Sequence, residues 1–133
     1  MTNRVKAIIY ALGLSSICII NKFKIVTADN EHIKYFLNCY LNDILGAIVF
    51  LLYLSIVLSF LKKKFTFKLI YVESIILTCG ILWEYVTPFY RKDTVSDPID
   101  LFAYIFGGLL FWYVFDGNSL MNDMTLENEK NNP

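Results

Sequence analysis

From Ile44 to Leu61 the chain carries no charged residue, and Lys62, Lys63 and Lys64 close the run. A helix needs about 20 apolar residues to cross the roughly 30 Å hydrocarbon layer of a bilayer, and this run approaches that length. Leu69 to Phe89 forms a second such stretch, with Glu73 and Glu84 embedded in it and Pro88 predicted to mark its end. Leu101 to Phe115 is a third, and it spans if Asp100 and Asp116 lie near opposite interfaces. Ala7 to Ile20, behind Arg4 and Lys6, also has the look of a secretory signal. No small-x-small cleavage site follows Ile20, however, and Ile17 stands where a lipoprotein signal ending at Cys18 needs a small residue. With Lys22 and Lys24 snorkelling outward, a retained helix from Val5 to Val26 spans.

Composition agrees. Of 133 residues, 56% are hydrophobic and 18% charged, with a mean hydropathy of +0.51, which is too apolar for a soluble domain of this length. The expected fold class is all-α, a four-helix polytopic membrane bundle. Its single domain covers 1–116, with spans at about 5–26, 41–61, 69–88 and 99–115. The polar stretch 117–133, rich in Asn and Glu, is expected to be a disordered tail. Aromatic residues suit helix packing and both headgroup zones. A net charge of zero gives no basis for nucleic-acid binding. Cys18, Cys39 and Cys79 are odd in number and lack metal-ligand spacing, so they read as packing residues. Counting basic residues at the span ends sets Arg4, Lys6, Lys62, Lys63, Lys64 and Lys68 against Lys22, Lys24, Lys34, Arg91 and Lys92. The positive-inside rule then places both termini in the cytoplasm.

Ionisable side chains inside a bilayer are costly, so several at one depth need a reason. At about 1.5 Å of rise per residue, Asp43 lies about 28 Å above Lys62, Glu84 about 24 Å above Lys68, and Asp100 about 24 Å above Asp116. Asn42, Asp43, Glu84, Arg91, Asp100 and Tyr104 are therefore the candidate ligand-binding residues of an outward-facing polar layer. The plainer alternative for Asp97 and Pro98 is a helix cap, with Asp97 at the N-cap and Pro98 at the first helical position. Asp43 also suits a helix start in the headgroup zone, and Glu73 suits a side chain snorkelling to the cytoplasmic interface. Gly46, Gly80, Ala103, Gly107 and Gly108 are the candidate helix-packing residues, because small side chains let neighbouring backbones approach.

The run from Glu84 to Gly108 resembles the VanZ-like family of small bacterial membrane proteins. That family's pattern has a Glu late in one helix, an Arg in the following loop, and an Asp opening a glycine-containing last helix. Glu84, Arg91, Asp100 and Gly107 answer to those positions, and Asn42-Asp43 is similar to the opening of an earlier span in the family. Thr87 stands where the family tends to have Gln, Tyr104 replaces its Asn, and Phe111 replaces a later Gly. The resemblance implies the bacterial cytoplasmic membrane and a link to glycopeptide-antibiotic resistance. Most members of the family have no assigned activity.

No hydrolase elbow, Walker loop, HExxH or Ser-His arrangement is present, and His32 is the single histidine. No catalytic residue, metal site or cofactor is expected, although a carboxylate-only mechanism stays open. The expected function is a polar pocket that binds or modulates an envelope lipid or precursor headgroup. Arg91 would meet phosphate or carboxylate there, and the acids would meet amines or hydroxyls. A structural scaffold without a ligand, or a small proton- or cation-coupled carrier, are the alternatives. Expected partners are membrane lipid, an envelope precursor or small-molecule ligand, and a second copy of the chain. The topology has a direct check. In intact cells, an impermeant thiol reagent should label Lys34→Cys and Lys92→Cys but not Lys63→Cys in a background lacking the native cysteines.

Overall fold

The computed structural model describes residues 3–23, 33, 36–37, 40–60, 68–90 and 98–115. It is all-helical. Helix α1 covers Asn3–Phe23, α2 Tyr40–Phe60, α3 Leu69–Ile81 and α4 Pro98–Phe115. A wide π turn, Leu82–Val86, continues α3 into a last turn, Thr87–Tyr90. Among the described residues, four helices are long and apolar enough to cross a membrane. The expected ends at residues 24–26, at Leu61 and in the tail 117–133 lie outside the described residues, so nothing there bears on them.

One expectation about α3 needs correcting: helical structure does not stop at Pro88 but runs through it to Tyr90. Proline has no N–H to give the carbonyl four residues back, which here is that of Glu84. A π turn alters the bonding pattern at this point, and such wide turns are a known accommodation within helices. The turn also affects the helix face. Val72, Ile76, Gly80 and Glu84 are all buried at steps of four residues, a spacing that drifts by about 40° per step in a regular helix. Fewer degrees per residue in the π turn bring Glu84 back toward the packed side.

The helices join in the spatial order α1, α2, α4, α3. Helix α4 packs on both α2 and α3, α1 packs on α2, and the backbones of α2 and α3 make no extensive contact. Helix α1 lies antiparallel along the whole of α2. At one end Arg4 donates to the Ser59 carbonyl at 3.4 Å and stacks 5.0 Å over the Phe60 ring. At the other, Asn21 meets Asn42. Between them Ala7 and Ala11, both fully buried, form a small-residue seam.

Phe111, Leu51, Leu52 and Val72 are the largest wholly buried apolar side chains and centre the core on the seam of α2, α3 and α4. Hydroxyls within the helices are satisfied locally. Ser55 and Ser59, both fully buried, donate to the carbonyls of Leu51 at 2.7 Å and Ile56 at 2.6 Å. Ser74 and Thr78 bond back to Ile70 and Ser74 in the same way, so none needs water. Large apolar side chains such as Leu12, Val57, Ile70 and Val114 cover the outer surface, as lipid contact requires.

The glycines divide into two kinds. A Cβ on Gly107 would stand 2.6 Å from the Ile44 carbonyl oxygen and 2.7 Å from the Ala47 Cβ, so the α2 backbone itself blocks it. Gly46 has no atom within 4 Å of that position, which corrects its assignment to helix packing: it borders a cavity instead. Gly107→Ala should therefore cost about 1–3 kcal/mol through forced separation of α2 and α4. Gly46→Ala should stay within about 0.5 kcal/mol of the parent. Reversible unfolding in mixed micelles reads both.

Candidate functional site

The polar residues of three helices meet at the end of the bundle where α2 and α4 begin. Asp43 and Asn42 stand in the first turn of α2, Asp100 in the first turn of α4, and Glu84 in the π turn that extends α3. Tyr104, one turn beyond Asp100, joins them. Its phenol lies 3.3 Å from Glu84 Oε1 and 3.5 Å from Asp43 Oδ1, with its hydrogen to donate to either carboxylate. Asp100 lies within electrostatic range of both Asp43 and Tyr104. Asp43 and Glu84, two of the acids singled out from sequence, thus meet at the Tyr104 hydroxyl, with Asp100 near enough to act on both Asp43 and Tyr104. Glu84, at 8% exposure, is the most enclosed of the acids.

Gly80 explains how the phenol gets there. A Cβ on Gly80 would stand 2.8 Å from Tyr104 Cδ2 and 3.1 Å from Leu101 Cδ2. The ring therefore lies directly on the α3 backbone, and its hydroxyl reaches the acid one turn further along. Gly107, on the next turn of α4, holds the same helix against Ile44 and Ala47 and so sets the height of Tyr104 relative to Asp43. Ala103 is buried. Pro98 is the first residue of α4, where its fixed φ suits a helix start. Arg91 and Asp97 lie outside the described residues, so the expected cation and N-cap carry no structural account.

Below the polar group a cavity of about 660 Å³ opens between α2 and α3, with Tyr104 of α4 on its wall. Asn42 and Asp43 edge it at the polar end, and Gly46, Phe50, Ile76, Cys79, Leu82 and Trp83 continue it in apolar form. Such a size and lining are typical of small-ligand sites. Among the described residues no group of three His, Cys, Asp or Glu is arranged to hold a metal ion. Cys18 and Cys79 are free thiols, and Cys39 lies outside the described residues.

Two residues have roles that sequence reasoning missed. Asn21 donates to the Leu37 carbonyl at 2.8 Å and to Asn42 Oδ1 at 3.0 Å, tying α1 to the edge of the site. An amide inside an apolar run was the available signal. Glu73 does not snorkel outward. Both its carboxyl oxygens are buried without a hydrogen-bond partner, and Oε1 stands 2.8 Å from where a Cβ on Gly108 would be. Gly108 thus makes room for an acid rather than for a neighbouring backbone, which is a correction to its reading as a backbone-packing glycine.

The chain matches no protein-family profile, no curated protein and no solved structure. The chemistry of the site is therefore read from its own residues. Asn21→Ala removes the bonds to the Leu37 carbonyl and to Asn42 of α2 at the edge of the site. Each such bond is worth about 0.6 kcal/mol on average between transmembrane helices, so the thermal midpoint in detergent should fall by a few degrees. Ser16→Ala, whose hydroxyl bonds only within α1, should leave it unchanged.

Proposed function

We propose that this chain is a small polytopic membrane protein whose polar pocket faces outward and binds or modulates an envelope lipid or precursor headgroup. The observation that carries the reading is the position of Asp43 and Tyr104 at the polar end of an otherwise apolar cavity, with Glu84 joined to them through the Tyr104 phenol. Three helices each spend a polar side chain, costly at membrane depth, on one place. The cavity offers the two surfaces an amphiphile needs: hydrogen-bonding groups at one end and hydrocarbon along the rest. Placing the pocket outward follows from the basic residues near the opposite ends of the spans, Arg4 and Lys62 to Lys64 among them. The resemblance to the VanZ-like family suggests the bacterial cytoplasmic membrane, and the acids and hydroxyl suit the amines and hydroxyls of envelope headgroups. In this reading Arg91 serves as the partner for a phosphate or carboxylate.

One observation favours a second reading, a scaffold without a ligand. The bonds from Tyr104 reach two other helices, and such bonds also hold helices in register. Native mass spectrometry of the full chain, released from its own membranes, separates the two. The pocket reading expects retained lipid on the parent and loss of most of it in Tyr104→Phe and Glu84→Gln, with thermal midpoints nearly unchanged. A scaffold would show lowered midpoints and no change in retained lipid.

A further inference from the structure

The walls of the cavity reach well into the membrane span. Along α2 the described lining runs from Asn42 to Phe50, and along α3 from Trp83 back to Ile76, about 10–12 Å on either wall. Phe50 stands ten residues into α2, about 15 Å along its axis, so it lies at the level of hydrocarbon and not of headgroups. Phe50, Leu82 and Trp83 are nonetheless 41%, 54% and 64% exposed, and the backbones of α2 and α3 make no extensive contact. The cavity therefore opens sideways, and its rim is continuous with the apolar outer surface to which Val57 and Val114 belong.

The interior limits what fits. Gly46 leaves room on the α2 wall, since nothing lies within 4 Å of the place its Cβ would take. Ile76 lines the cavity from α3 but is only 3% exposed, so lipid running along the outer surface does not reach it. Away from Asn42, Asp43 and Tyr104, the described lining is apolar apart from the Cys79 thiol and the Trp83 indole N–H. Water held in a cavity needs about three polar partners, whereas apolar cavities take up apolar guests. A transmembrane helix is about 10–12 Å across with its side chains and packs along a whole span, which a recess ending at Phe50 and Ile76 does not allow. A single hydrocarbon chain is thin and flexible enough to enter.

We infer that one acyl chain of a bilayer phospholipid enters this recess from the side and lies between Gly46 and Ile76. The inference rests on the pocket reading given above and adds which part of a lipid the cavity holds and the direction from which it arrives. Gly46 is then the residue that sets the width open to the chain.

The test uses the full chain in phosphatidylcholine nanodiscs with a trace of the same lipid carrying a diazirine midway along one acyl chain. Photolysis followed by peptide mapping locates the adducts. Lipid on the outer surface labels Val57 and Val114 in any case, and these serve as the internal reference. A seated chain should label Ile76 and Cys79 at least as strongly as that pair. Gly46→Leu, which fills the recess from the α2 wall, should lower labelling of Ile76 and Cys79 about tenfold, the ratio that displacing about two buried methylenes carries. Val57 and Val114 should label as before, and the thermal midpoint should hold. If that variant does not fold, Cys79→Phe fills the recess from the other wall, with Ile76 as the readout. Adducts confined to the outer surface of the parent overturn the seated chain. Lipid that is still retained by the parent and lost in Tyr104→Phe would in that case leave the pocket reading standing on its headgroup end. Undiminished labelling of Ile76 in a folded variant overturns the place given to the chain. Labelling of Ile76 that follows the expected pattern, with no lipid lost from Tyr104→Phe, upholds the seated chain and overturns the part given to the polar end.

Discussion

The approach of α4 to its two neighbours at glycines is the contact on which the rest of the molecule depends. At Gly107 the helix lies against the carbonyl of Ile44, and at Gly80 its Tyr104 ring lies on the backbone of α3. Between lipid and protein there is little hydrophobic driving force to hold helices together, because lipid tails are as apolar as leucine. Close packing and hydrogen bonds have to supply the difference. In this chain the same two glycines do both, since the close approach at Gly107 and the seat for the ring at Gly80 also bring the Tyr104 phenol within reach of acids on two other helices.

The cost of that arrangement appears as asymmetry. Helix α4 is central, α1 packs chiefly on α2 with an edge contact from Tyr10 to Phe115 of α4, and the backbones of α2 and α3 make no extensive contact. A bundle closed on all sides would fill its interior with side chains. This one leaves a cavity on the open flank, with polar groups at one end and exposed aromatic and aliphatic residues at its rim. Glu73 shows the opposite case within the same seam: a carboxyl buried against Gly108 with no hydrogen-bond partner among the described residues. A buried acid carries a desolvation cost wherever it lies, and only the group at the polar end converges with other polar side chains.

Much of this was legible in the chain itself. The length and apolarity of the runs ending at Lys22, Phe60, Val86 and Phe115 determine four helices able to cross a membrane, because backbone polar groups in hydrocarbon must bond within their own segment. Constant rise per residue places Asp43, Glu84 and Asp100 at one level, since depth depends only on counting from the ends. Rotation about the helix axis is a weaker inference. The π turn at Leu82–Val86 changes the phase of Glu84, and Glu73 shares the inner seam although its distance from Lys68 allows an exposed position equally well.

Which helix neighbours which was not legible. The loops are compatible with several orders of four spans, and apolar faces look alike to one another when every side of a helix meets hydrocarbon. Packing chose α4 as the centre, because Gly107 lets it approach the α2 backbone and Gly80 lets its Tyr104 ring lie on the backbone of α3. That choice made Tyr104 a shared donor, gave Gly46 open space in place of a neighbour, and turned Asn21 toward Asn42. The amino-acid sequence alone determined the number, length and depth of the helices, through hydrophobic length and rise. Tertiary structure decided the pairing, the cavity and the company each carboxylate keeps, because those depend on steric fit between helices that no single run of residues contains.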